Sequence, residues 1–303
     1  SKEPPYYVPG IIPALLVNLT KKPLDDPAFR RAIAHAIDYD KILRLALYGY
    51  APQLRPGLIL PFGAEAVYFS EEDAEAYGAG YDPRKAREIL EEAGYSRGED
   101  GMLVDPHGER IPTLYAGCPS GWTDWEATIR IAVAGMRDAG IDVREKFVEF
   151  PVWDKELKNC LFDFTMKTPH PQSSPSTPWS RFAKVMSSKQ WAPPGEVMYE
   201  NEGRYRNPVA DSLLRVLPTL TDKAAIKRAY RDLNILFMKE LPVIPLMYRP
   251  WLFYQFSTRH WTNYPTEENP YAPPQCLMVG AGIKALWRIK PKGMVESRRS
   301  RDK

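Results

Sequence analysis

Cysteine is scarce. Cys118, Cys160 and Cys276 are the only three in 303 residues, they lie far apart, and no C-x-x-C pair occurs. An odd, scattered set argues against a disulfide framework. The four histidines (His35, His107, His170, His260) show neither H-x-x-x-H nor His/Cys spacing, so no metal site is expected. No apolar run reaches the roughly 18 residues of a membrane span. The first ten residues lack a basic segment followed by an apolar one, so no secretion signal is read in this stretch. Also missing are G-x-S-x-G, the P-loop, G-x-G-x-x-G and H-E-x-x-H. Acidic pairs such as Glu71-Glu72 and Glu267-Glu268 sit in polar stretches and read as solvated surface rather than as a general acid and base. No cofactor and no catalytic residue is expected, and the protein reads as a non-enzyme.

What is present points to a globular binding protein. Hydrophobic residues make up 44% and charged residues 26%, the balance of a packed rather than a disordered chain. The formal charge of +3 is a property of the C-terminus. Residues 290–303 carry six Lys/Arg against Glu296 and Asp302, which leaves the rest slightly negative. A phosphate-tracking face needs clustered charge across the fold, so no nucleic-acid partner is expected. Proline stands at 30 residues and aromatics at 12%, including eight Trp. Stiff loops and flat apolar faces suit a binding cleft.

Strand-like and helix-like segments alternate. Ile11–Leu19 reads as a buried strand. Asp26-Pro27, Asp82-Pro83, Asn207-Pro208 and Thr221-Asp222 are helix starts: an acceptor side chain caps the first amides, and proline fits where no N–H is needed. Asp38 or Asp40 is expected to cap a helix carrying Ile42, Leu45 and Ala46. Gln53–Phe69 is loop-like. A hairpin is expected from Met102–Val104 and Arg110–Ala116, with its turn at Asp105–Gly108. Thr123-Asp124-Trp125-Glu126 has the form of a capping box, and a strand follows near Ile141–Phe150. Leu161–Lys167 alternates, with Phe162, Phe164 and Met166 on one face, and Val243–Tyr254 reads as strand. The pattern implies an α/β fold with a mixed sheet flanked by helices.

Two segments are candidates for binding. Gly117–Trp125 (GCPSGWTDW) joins a strand to a helix, where α/β folds place ligands. Trp125, inside the helix, reads as core; Trp122, before it, reads as a binding residue, with Asp124 a helix-start acid orienting the loop. Thr168–Pro178, ending at Trp179, is a long Pro/Ser-rich loop after a strand. Its polar atoms are neutral, among them His170, Gln172, Ser173 and Ser174, and it contains no acid. Neutral hydrogen-bonding groups beside aromatic rings suit an uncharged polyhydroxyl ligand, whose C–H face stacks and whose hydroxyls bond at the rim. An ordinary surface loop fits the same composition.

Several stretches resemble family 5 extracellular solute-binding proteins. They are Asn18-Leu19-Thr20 with PLDDPAFRRAIAHAIDYDKIL (Pro23–Leu43), YDPRKAREILEEAGY (Tyr81–Tyr95), and GRYRNPVADSLL followed by TDKAAIKRAYRDLNILFMKELPVIPLMY (within Gly203–Tyr248). GWTDW (Gly121–Trp125), WTNYPTEENPYAPP (Trp261–Pro274) and GAGIKALWRIKP (Gly280–Pro291) are similar to the branch that binds cellobiose-type oligosaccharides. Peptide-binding members carry an Asp in the loop matching Thr168–Trp179, and this chain has none there. The resemblance implies a periplasmic binding protein type II-like lobe and a substrate-binding component of an ABC importer. Its partners would be a small oligosaccharide or peptide ligand and a transporter permease. Its location would be periplasmic or extracellular, with a membrane-anchored lipoprotein possible. On this reading residues 1–18 end a first lobe and cross over, 19–244 form the second lobe, and 245–303 return to the first. Trp122 and Trp179 would stack on sugar rings, with Gln172, Ser173, Ser174 and His170 as polar partners. A peptide-binding member is the near alternative and a carbohydrate-active enzyme the distant one.

Overall fold

The computed structural model describes residues 11–169, 178–249, 256–266, 268–272 and 280–292. The chain divides into two units: Ile11–Tyr248, and Ser1–Gly10 with Arg249–Lys303. In chain order the larger unit runs β1 (Ala14–Val17), α1 (Pro27–Ala36), α2 (Tyr39–Lys41), α3 (Glu71–Tyr77), α4 (Pro83–Glu92), β2 (Ser96–Arg97), β3 (Leu103–Val104) and β4 (Leu114–Pro119). It continues with α5 (Thr123–Asp138), β5 (Val143–Val148), α6 (Phe150–Lys158), β6 (Phe164–Lys167), α7 (Trp179–Met186), α8 (Pro208–Val216), α9 (Lys223–Glu240) and β7 (Val243–Pro245). The smaller unit holds β8 (Trp261–Thr262), α10 (Gly280–Leu286) and β9 (Lys290–Pro291). There β8 and β9 pair antiparallel, and Phe256 stacks on Tyr264 with centroids 4.2 Å apart.

One mixed sheet, ordered β5-β4-β6-β1-β7, organises the larger unit. β4 runs parallel to β5 and to β6, whereas β1 is antiparallel to both β6 and β7. All four β1 residues are buried, as the unbroken apolar run requires of a central strand. Crossovers from parallel strand to parallel strand are right-handed. The chain leaves β4 through α5 to one neighbour and returns through α6 to the other, so these helices cover opposite faces. α5 approaches α1 so closely that a Cβ on Gly135 would stand 2.0 Å from the Ala36 carbonyl oxygen; only glycine fits. Asn18 Nδ2 donates to the carbonyls of Cys160 (3.1 Å) and Phe162 (2.8 Å), fixing the end of β1 to the start of β6. Buried Arg30 donates to the Leu24, Glu240 and Leu241 carbonyls, joining α1 to the end of α9.

The expected helix starts at 26, 82, 207 and 222 are present, each with its side chain accepting from first-turn amides. Three segments differ from expectation. The hairpin is reduced to a single bridge, Val104 to Arg110, while β3 pairs back with β2; Pro112 has no N–H with which to continue the ladder. After the Asp38 cap the chain widens into a π-turn over Ile42–Ala46, which leaves Leu45 exposed rather than on the buried stripe. Within Gln53–Phe69, a 3-10 helix spans Gly63–Tyr68.

Candidate functional site

The strand order itself marks a site. The chain passes from β4 to β5 on one side and then to β6 on the other, so the direction of winding reverses between β4 and β6. Ligands of open α/β sheets bind outside the carboxyl ends of the strands at such a reversal. Residues 120–122 follow β4 there and 168–169 follow β6, each within a segment singled out in the sequence.

After β4, the Ser120 amide donates to the Val148 carbonyl (2.7 Å), and Gly121 turns at φ +84°. Trp122 then occupies the N-cap of α5, and its indole has no acceptor to offer. Thr123 is the first helical residue, not the cap, so the expected capping box is shifted. Glu126 accepts instead from the Gly121 amide (2.8 Å) and pairs with Arg130 (3.0 Å). The Gly121 amide, and then Arg130, hold the Glu126 carboxyl below the usual carboxylate range. Glu126 thus ties the loop to the first turns of α5. Asp124 is half-buried in the same turn, and its carbonyl accepts from Thr128.

Trp122 sits in a cluster of four rings. Its centroid lies 4.7 Å from Trp125, 6.1 Å from Phe150 and 6.1 Å from Trp153. The inner pair is buried, Trp125 at 6% exposure and Trp153 at 8%, whereas Trp122 is 40% and Phe150 48% exposed. Trp153 Nε1 donates to the buried Thr165 hydroxyl (2.8 Å), locking the inner layer to β6. Phe150 escaped the sequence reading because it was assigned to the end of a strand. The signal was there: Pro151 in a first turn and Trp153/Leu157 at i, i+4 mark a helix start.

At the end of β6, Lys167 pairs with Glu202. Burial pushes the Glu202 carboxyl up, and the Lys167 ammonium opposes this. The cation that ends β6 is therefore held by a buried acid. Trp179 opens α7, 36% exposed, with Nε1 donating to the Leu214 carbonyl (2.9 Å). Two residues on, fully buried Arg181 donates to Glu65 (2.8 and 3.0 Å) and to the Leu58 carbonyl. His170, Gln172, Ser173 and Ser174 lie outside the described residues. Cys118 closes β4 as a buried thiol, which burial pushes up to about 12. Among the described residues no group of three or more His, Cys, Asp or Glu is placed to hold a metal ion.

A cavity of about 390 Å³ lies elsewhere, over a floor that includes Ala34, Met238 and Ile244. Of its polar lining, Asp40 is bonded by Gln53 and Arg55 is paired with Glu71. It does not coincide with the strand reversal.

Residues 2–190 match the family described as bacterial extracellular solute-binding proteins, family 5 Middle. The chain belongs to this family. Among family relatives, the glutathione-binding protein GsiB of Salmonella paratyphi A is 27% identical over 234 residues, covering 76% of this chain and 41% of its own. A crystal structure of a Thermotoga maritima oligopeptide ABC transporter periplasmic oligopeptide-binding protein, with mannohexaose bound, is 34% identical with a TM-score of 0.83. The match covers 96% of this chain and 54% of that one. AppA of Bacillus subtilis, in complex with a nonapeptide, is 18% identical with a TM-score of 0.61, a likeness of fold alone. The chain spans about half the length of these relatives. The fold is that of a type II periplasmic binding protein lobe.

Proposed function

We propose that this chain is the ligand-binding lobe of a substrate-binding component of an ABC importer, and that its ligand is an uncharged oligosaccharide of the cellobiose or β-glucan type. The observation that carries the reading is Trp122, a flat ring half open to solvent on a loop at the strand reversal, with Glu126 in the following turn paired to Arg130. An apolar face matches the C–H face of a pyranose, and polar groups around its rim match the hydroxyls. Trp179 would form the second stacking surface, and Gln172, Ser173, Ser174 and His170 the polar rim, with Asp124 beside Trp122. The bound mannohexaose of the Thermotoga maritima protein supports this ligand class. Acids at the helix starts (Asp124, Glu126 and Glu149) disfavour an anionic peptide such as glutathione.

In this reading residues 1–18 end a first lobe and cross over through β1, 245–303 return to that first lobe, and ligand that touches both lobes favours the closed state by its differential affinity. A permease then reads the closed form at the outer side of the cytoplasmic membrane. Calorimetry of the full-length protein against cellotetraose, mannohexaose, glutathione and an oligopeptide tests the proposal. Saturable binding of a sugar is expected. Binding of glutathione or the peptide, with no sugar bound, would transfer the site to peptides. Turnover of the sugars would mark an enzyme.

A further inference from the structure

Phe150 continues the surface that Trp122 begins. The two rings come from neighbouring strand-to-helix connections, Trp122 after β4 and Phe150 after β5. Their planes lie within 24° of parallel and their centroids 6.1 Å apart. Carbon atoms of rings overlapping face to face would be about 3.5–4.0 Å apart, so these rings are displaced sideways, like two adjoining steps. Trp125 and Trp153 lie buried beside them, and the bond from Trp153 to Thr165 fixes that layer to the sheet. The outer rings therefore rest on a rigid support. Folding does not account for their exposure: burial stabilises apolar rings, and a contiguous apolar patch left in water marks a contact surface.

We infer that Trp122 and Phe150 form a two-ring platform for two consecutive pyranose units of one chain, which makes the ligand an oligosaccharide rather than a monosaccharide. This rests on the sugar reading above and adds Phe150 to the site. With centroids 6.1 Å apart, each ring can meet the C–H face of a different sugar unit. The charge around them favours this occupant. Asp124 and Glu126 stand in the first turn of α5, and Glu149 directly precedes Phe150; Arg130 is paired to Glu126. Carboxylates accept from sugar hydroxyls at no cost in like-charge repulsion, whereas an anionic ligand would meet that repulsion.

Titration of the full-length protein with cellobiose, cellotetraose and mannohexaose, followed by calorimetry, tests the platform. Phe150→Ala is expected to weaken cellotetraose or mannohexaose binding about tenfold, roughly 1.4 kcal/mol. Phe150→Leu keeps an apolar side chain on Trp153 but loses the flat face, and is expected to weaken binding several-fold. Phe150→Trp is expected to stay within about twofold of the parent. Because Phe150 is half exposed, all three variants should melt close to the parent. If the parent binds a sugar and Phe150→Ala binds it equally well, the platform is wrong and the sugar reading stands. If the parent binds none of the sugars, both fall together.

Discussion

The helices of the larger unit start in two different ways. α1, α2, α3, α4, α8 and α9 each begin with an Asp, Asn or Ser whose side chain accepts from a first-turn amide. α5, α6 and α7 begin with Trp122, Glu149 and Pro178, none of which caps through its side chain. These three are the helices that follow β4, β5 and β6, at the rim where the winding reverses. The opposite end of the sheet is finished with paired charges. Lys21 meets Asp163 at 2.6 Å, Arg110 bridges Asp100 (2.6 Å) and Asp142 (3.1 Å), and Asp163 also accepts from the Tyr115 amide. A hollow of about 330 Å³ on the α6 side is lined by Lys21–Asp163 and Lys146–Glu156. It has volume, but these charges already satisfy one another. The difference lies in what each end exposes: one end of the sheet is closed by paired charges, and the other presents the Trp122 and Phe150 rings at helix starts without side-chain caps.

The contrast can be broken most strongly through the rim's support. Glu65→Ala leaves the Arg181 guanidinium buried without its carboxylate, and also frees the Leu60 amide that Glu65 accepts from. A loss of about 3–5 kcal/mol is expected in urea unfolding; under about 1 kcal/mol would mean that α7 is held by other contacts. Trp125→Ala removes an inner ring and should cost on the order of 3–5 kcal/mol, as buried aromatic truncations do. Next comes the helix starts. Asp26 accepts from Ala28 N (2.9 Å) and from the Tyr95 hydroxyl (2.9 Å), so Asp26→Ala should lower stability by about 1–2 kcal/mol. Thr123→Ala, at the rim, should change it by less than about 0.5 kcal/mol, since Thr123 is not the cap. Equal losses at the two positions would erase the distinction between capped and open starts.

The smallest effect is one of pH. His35 lies half-buried on α1, its Nδ1 2.8 Å from the Gly80 carbonyl, and desolvation lowers its pKa below the ordinary 6.5. The unfolded chain therefore binds the proton more tightly. Stability from this group is fully present above about 6.5 and declines as pH falls toward the lowered value. Melting of the parent from pH 7 to pH 5 should fall more steeply than that of His35→Gln. Parallel curves would remove His35 from the account.

Much of the scaffold could be read from residues alone because its signals are local. An Asp or Asn before Pro at 26, 82 and 207 marks a helix start whatever packs on it, and the run around Ala14–Val17 can only be a central strand. What escaped depends on the third dimension. Nothing near Thr123 shows that Trp122, rather than the threonine, takes the cap conformation; Gly121 and the contact of Ser120 with β5 decide it. Phe150 looked like the last residue of a strand because Val148 and Phe150 alternate, and its partnership with Trp122 exists only once β4 and β5 lie side by side. That Trp122 stands outside the core was legible, since no helical stripe accounts for a tryptophan at that position.

The central claim is that Trp122 stands outside the core and serves the ligand. Trp122→Ala in the full-length protein tests it with two readings on one sample, the melting temperature and the affinity for cellotetraose or mannohexaose. The account predicts melting close to the parent and affinity lowered at least about tenfold. A loss of stability of about 3–5 kcal/mol, the scale of a buried tryptophan, or unchanged affinity for a sugar that the parent binds, would contradict it.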